Sequence, residues 1–173
     1  MALEVIPVKK WFLPLLLALW PYLFFLILLH PESVLLSFVV AYCAATVPVY
    51  LANFLFAFRC KGLGIPDLAR WDLIIKACHI PFYLLVFLAG AFLALAIVAP
   101  AVLFMAVMVI PVLVVVDVLL MLTSSCYGFS AIRRAKADGL IEDSFAEFHT
   151  LLHFFFVADV ISAFLLRRNL KEL

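Results

Sequence analysis

The chain reads as an all-α polytopic transmembrane bundle of about five spans with short loops, folded as a single integral membrane domain. Three observations lead there. Of its 173 residues, 69% are hydrophobic and only 13% charged, with a mean hydropathy of +1.30, against about 45–50% and about 25% in ordinary soluble domains. The apolar residues fall in long unbroken runs, and the charges gather between those runs. A soluble domain of this length has too little interior to hide so much apolar surface, whereas lipid solvates it directly.

The first predicted span, residues 11–29, follows Lys9 and Lys10. It is too long for the about 7–15-residue apolar core of a signal peptide, and no small-residue cleavage pattern follows it. After the tight connection His30-Pro31-Glu32-Ser33, the second span covers residues 34–58 and ends at Arg59-Cys60-Lys61-Gly62-Leu63-Gly64-Ile65-Pro66, where glycine and proline break the helix. A third helix starts near Asp67, read as its cap, with Arg70, Trp71 and Lys76 at headgroup level, the basic side chains snorkelling. Its membrane part covers 72–98.

Pro100 marks a short turn into the fourth span, 101–126. A helical extension, Ser130 to Lys136, follows and stops at Asp138-Gly139. Ser144-Phe145-Ala146-Glu147 has the spacing of a capping box and opens a fifth span over 145–166, closed by Arg167-Arg168. Basic residues set the orientation. A cytoplasmic N-terminus puts nine of them inside and leaves the connections after the first and third spans without Lys or Arg, as the positive-inside rule requires. Arg167, Arg168 and Lys171 break the rule if the last helix crosses. A re-entrant or interfacial last helix would obey it, but its apolar residues surround the helix, which favours crossing. The expected location is a cell membrane.

Acids at membrane depth cost about 2.5–3.5 kcal/mol on insertion scales, so they seek the bundle interior and a partner. Asp117 stands in Leu113-Val114-Val115-Val116-Asp117-Val118 and Asp159 in Phe156-Val157-Ala158-Asp159-Val160. Asp117 lies nine residues before Cys126 and His153 nine after Ser144, each roughly 14 Å from its helix end. This depth match predicts an Asp117–His153 pair, with His149 one turn away, and with His79 and Asn53 at similar depth. Asp159 is expected nearer the other side, paired with Ser33, Ser37 or a tyrosine. Interhelical hydrogen bonding is one role for these groups. A substrate or proton pathway is a second, since a histidine beside a carboxylate suits a relay. A metal site formed by His149, His153 and Asp117 is a third, on the weak signal of His-x-x-x-His spacing.

Pro14, Pro21, Pro48, Pro81 and Pro111 put a proline in each of the first four spans, kinking them and freeing backbone carbonyls. Cys43, Cys60, Cys78 and Cys126 show no CxxC spacing and read as buried apolar residues or reduced thiols. No G-x-S-x-G, HExxH, P-loop or dinucleotide fingerprint occurs, and no cofactor is expected.

The stretch Tyr127-Gly128-Phe129-Ser130, through Gly139-Leu140-Ile141, to Ala158-Asp159-Val160-Ile161-Ser162-Ala163 resembles a family of small, uncharacterised bacterial polytopic membrane proteins. The resemblance implies a bacterial membrane setting and no activity. The functional expectation is a non-enzymatic, transporter-like or accessory helical bundle with a polar cluster in its inner half. The alternative is an intramembrane enzyme acting on a lipid or peptide through a His/Asp site. Expected partners are the lipid bilayer and further copies of the chain or a larger membrane complex. With a net charge of +1 and no basic tail, nucleic acid is not among them.

Overall fold

A computed structural model describes residues 10–27, 32–60 and 62–171. The turn at His30-Pro31, and Lys9 and Lys61, lie outside the described residues. All regular structure among the described residues is helical: α1 (Phe12–Ile27), α2 (Glu32–Arg59), α3 (Ile65–Leu95), α4 (Pro100–Ser124), α5 (Cys126–Ala137), α6 (Asp143–Leu152) and α7 (Phe156–Lys171), with a 3-10 turn at Ala96–Val98. Three stretches, Ser37–Arg59, Ile65–Leu95 and Ala106–Ala137, are long and apolar enough to cross a membrane. Phe12–Phe24 is a shorter apolar helix. Phe87, Phe92, Leu95, Phe104 and Met108 are all exposed, a surface that suits lipid and that water-soluble monomers rarely present as a continuous patch.

The helix ends follow local chemistry, with two corrections. Helix α3 begins two residues before Asp67, with Gly64 as its N-cap and Pro66 in the first turn, where a missing N–H costs nothing. Asp67 therefore sits inside the first turn and does not cap it. Helix α6 is capped at Glu142 with no side-chain cap hydrogen bond, so Ser144 and Glu147 form no capping box. At the end of α5 the expected stop is present. Gly139 adopts a left-handed φ of 69°, and the bonds from Leu140 N to Ala135 O and from Gly139 N to Lys136 O close the helix in a Schellman arrangement.

The largest departure concerns the C-terminal stretch. The single helix expected over 145–166 is broken between Leu152 and Phe156. His153 pairs with Asp159, and His149 Nδ1 lies 2.7 Å from Ser162 Oγ. Partners that move apart in step along the two segments define an antiparallel hairpin. Leu166 and Leu170 consequently join Leu63, Leu68, Ala135 and Ala146 in one core cluster, at the end where α3 begins and α5 stops. Arg167 and Arg168 thus return to the end that carries Arg59, Arg70, Arg133 and Arg134. Basic residues of α2, α3, α5 and α7 are thereby gathered at one end of the bundle.

Two fastenings hold that basic end together. The last carbonyls of a helix have no partner within it. At the end of α2 the Arg134 guanidinium donates to Cys60 O at 2.9 Å and Leu63 O at 3.0 Å, and at longer range to Ala57 O and Phe58 O. Ser130 Oγ donates to Ala57 O at 2.6 Å. Deeper in the bundle, Pro21 has no N–H for Leu17 O, one turn earlier. His79 Nε2 lies 3.2 Å from that carbonyl, and since a carbonyl only accepts, Nε2 carries the proton. His79→Phe is expected to destabilise the protein by about 1–3 kcal/mol through the orphaned carbonyl. Adding Pro21→Ala restores a local donor, so thermal unfolding of the double variant in detergent should recover most of the loss; equal losses would contradict this account.

Candidate functional site

The centre of the molecule is a cluster of four ionisable side chains where α3, α5 and the α6–α7 hairpin meet. Asp72 and Lys76 come from α3, one turn apart and therefore on one face. His153 comes from the tip of the hairpin, Asp159 from the first turns of α7. Their exposures are 0%, 1%, 0% and 4%. Lys76 Nζ lies 2.8 and 3.0 Å from the two Asp72 oxygens and 2.5 Å from Asp159 Oδ1. It also lies 2.7 Å from His153 Nδ1, which in turn contacts the same Asp159 oxygen. Ser125, at the junction of α4 and α5, donates from Oγ to Asp159 at 3.3 Å.

Helix α5 can approach this closely because of Gly128. A Cβ there would lie 2.7 Å from His153 Nε2 and 2.8 Å from Asp72 Oδ2, well inside van der Waals contact. The neighbouring Phe129 ring meets the His153 imidazole edge-on, centroids 5.1 Å apart. These apolar walls exclude the headgroup region, so Lys76 finds its counter-charges inside the protein and does not snorkel.

The sequence-predicted residues separate into five groups. His153 and Asp159 belong to the cluster. His153 pairs with Asp159 and Lys76, not with Asp117, because the hairpin folds Asp159 back to the histidine's depth. Asp159 meets Ser125, not Ser37, and the Ser33 side chain lies outside the described residues. His149 is occupied by Ser162 one turn up the hairpin. His79 serves the Leu17 carbonyl. Asn53 accepts from the Tyr127 hydroxyl at 2.8 Å and donates to Val49 O. Asp117 stands apart, on the wall of a cavity between α3, α4 and α7, and its Oδ1 is buried with no hydrogen-bond partner among the described residues. Among those residues no group of three or more His, Cys, Asp or Glu side chains is arranged to hold a metal ion, so His149, His153 and Asp117 are not brought together as ligands.

Sequence reasoning missed Asp72, Ser125 and Gly128 and misplaced Lys76. The usable signal was an Asp-x-x-x-Lys pair set among Trp71, Leu73, Ile74, Ile75 and Ala77, since an i, i+4 ion pair inside an apolar run is self-compensating.

Two carboxylates, one ammonium and one imidazole constrain each other's charge. Isolated charge in a low-dielectric interior is heavily penalised. With both acids ionised and Lys76 charged, neutrality requires a proton on His153, and Nδ1–H then donates to Asp159. If that proton leaves, Nδ1 becomes an acceptor and Lys76 Nζ is within reach to donate to it. One set of positions accommodates both arrangements. His149, Cys126 and Tyr83 lie within electrostatic reach of the cluster members.

Fold and site together define a helical bundle with membrane-compatible apolar helices around a dry ion-pair core. Residues 11–172 match the model of a family of unknown function (DUF6652), and the chain belongs to that family. Neither the curated proteins nor the solved structures give a match.

Proposed function

We propose that the chain is a non-enzymatic, transporter-like bundle of the bacterial inner membrane, with its basic end and N-terminus in the cytoplasm, whose working element is a proton-exchanging cluster. The observation that carries this reading is the sharing of one Asp159 oxygen by Lys76 and His153. A merely structural ion pair needs one cation for one carboxylate. Here the two acids and the lysine leave one unit of negative charge that a mobile proton on the imidazole can balance. Losing that proton leaves the cluster with a net negative charge in a low-dielectric setting, a state favoured only if another cation arrives or the surroundings open to water. Proton release is thereby coupled to a second event, which is the elementary requirement of a coupled carrier.

A route out of the cluster also supports the reading. Ser125 contacts Asp159, and the preceding Ser124, which donates to Met121 O, lies beside Tyr83. Tyr83 lines the cavity that also holds Asp117. Hydroxyl and carboxyl side chains thus occur both at the buried lysine and at the cavity between α3, α4 and α7. The test is proton flux into liposomes containing the purified protein under an imposed pH gradient. Wild type is expected to dissipate the gradient faster than empty liposomes, and Asp159→Asn to lose that excess while remaining folded. Flux equal to the blank, or undiminished in a folded Asp159→Asn variant, would overturn the proposal.

A further inference from the structure

Where the α6–α7 hairpin turns back, α3, α4 and the start of α7 leave a gap between them. The gap is a cavity of about 930 Å³ lined by Tyr83, Phe87 and Gly90 of α3, Leu113 and Asp117 of α4, and Ile161 of α7, among other apolar side chains. Its volume falls in the range of small-molecule sites, which are mostly apolar with a few placed polar groups. Asp117 supplies the placed group. Its Oδ1 is buried and accepts no hydrogen bond among the described residues, and no Lys or Arg lies among the residues that line the cavity.

We infer that this cavity binds a lipophilic cation, an amine-type or onium group carried on an apolar body, with Asp117 as its counter-charge. Charge complementarity selects the class. An anion would meet an unpartnered carboxylate in low dielectric, and a neutral chain would leave that oxygen orphaned. A cation satisfies it while its apolar body fills the space between Phe87 and Ile161. Electrostatic attraction of this kind is strong where water is excluded and weak in bulk solvent. The inference rests on the transporter-like reading above and names its substrate class. Tyr83 stands within electrostatic reach of both Asp117 and Asp159, so a cation at Asp117 supplies the arriving charge that proton release from the cluster requires.

The test uses tetraphenylphosphonium and tetraphenylborate, ions of matched size and shape and opposite charge, in equilibrium dialysis against the full chain in lipid nanodiscs, with empty nanodiscs as baseline. The phosphonium is expected to bind above baseline, and Asp117→Asn to weaken it by tenfold or more; the borate is expected to show no excess binding. Gly90→Phe gives an independent check, since the space around Gly90 is open and the added ring occupies the cavity without disturbing the packed side of α3; it too should abolish binding. Equal binding of the two ions, or undiminished binding in a folded Asp117→Asn variant, would overturn the inference. So would cross-linking of cysteines placed at the cavity rim into a dimer, which would show that a second copy fills it. Dialysis reads the cavity alone. Phosphonium binding without proton flux would overturn only the proton-exchange reading, and flux without phosphonium binding only this inference, so the two failures are separate results.

Discussion

Lys76→Met is expected to destabilise the protein by about 3–5 kcal/mol, the usual consequence of removing one partner from a buried ion pair and leaving the other uncompensated. That is a large share of the roughly 5–15 kcal/mol by which domains are stable, so the variant should yield little folded material. The reason is charge count as much as lost contact. Without the ammonium, Asp72 and Asp159 face each other with only His153 between them. The companion substitution follows directly. Lys76→Met with Asp72→Asn leaves one carboxylate and one protonated imidazole, a neutral pair, and should recover most of the loss. Thermal unfolding of the four proteins in one detergent gives the coupling energy, expected at about 2 kcal/mol or more. Additive losses would mean that the four groups do not act as a unit.

Gly128→Ala is the second large effect, and its sign is the informative part. In an unobstructed helix interior, glycine to alanine stabilises by about 1 kcal/mol. At Gly128 the new methyl would collide with the His153 ring and the Asp72 carboxylate, both short buried side chains with nowhere to go. Overpacking of this kind costs about 1–3 kcal/mol, and here it also pushes apart groups that need each other's charge. Gly90→Ala is the matched control, since nothing lies within 4 Å of a Cβ at that position. The melting temperature is therefore expected to fall for Gly128→Ala and to rise or hold for Gly90→Ala. The same sign at both positions would refute the close approach of α5 to the cluster.

The helical class, the approximate extents of α2 to α5 and the stop at Gly139 were legible in the sequence, because each depends on local composition. The importance of His153 and Asp159 was legible for the same reason, as both are polar residues in apolar surroundings. Their pairing was not. Depth along a helix predicts neighbours only if the helix continues, and α6 stops at Leu152 without a proline or glycine to announce it. The break is favoured by tertiary structure: a hairpin lets His153 and Asp159 reach Lys76 together, which one straight helix would place on different turns. Lys76 was misread because a basic residue near a span end ordinarily snorkels; Asp72 one turn away already offers a counter-charge, and the position of α7 adds Asp159. One clue did point the right way. Arg167 and Arg168 stand apart from the other basic residues if the last helix runs straight on, and the hairpin returns them to the basic end.

A proton shared between Asp159 and His153, inside a core too dry to hold net charge, is the claim on which the functional reading stands. Nitrogen NMR of histidine-labelled protein in lipid bilayers tests it most directly, with His153→Gln to assign the signal. Both ring nitrogens of His153 should carry protons, with Nδ1–H bonded to Asp159, and Asp159→Asn, which removes one negative charge from the cluster, should strip the proton from Nδ1. A His153 Nδ1 whose state does not change in the folded Asp159→Asn variant would contradict the account.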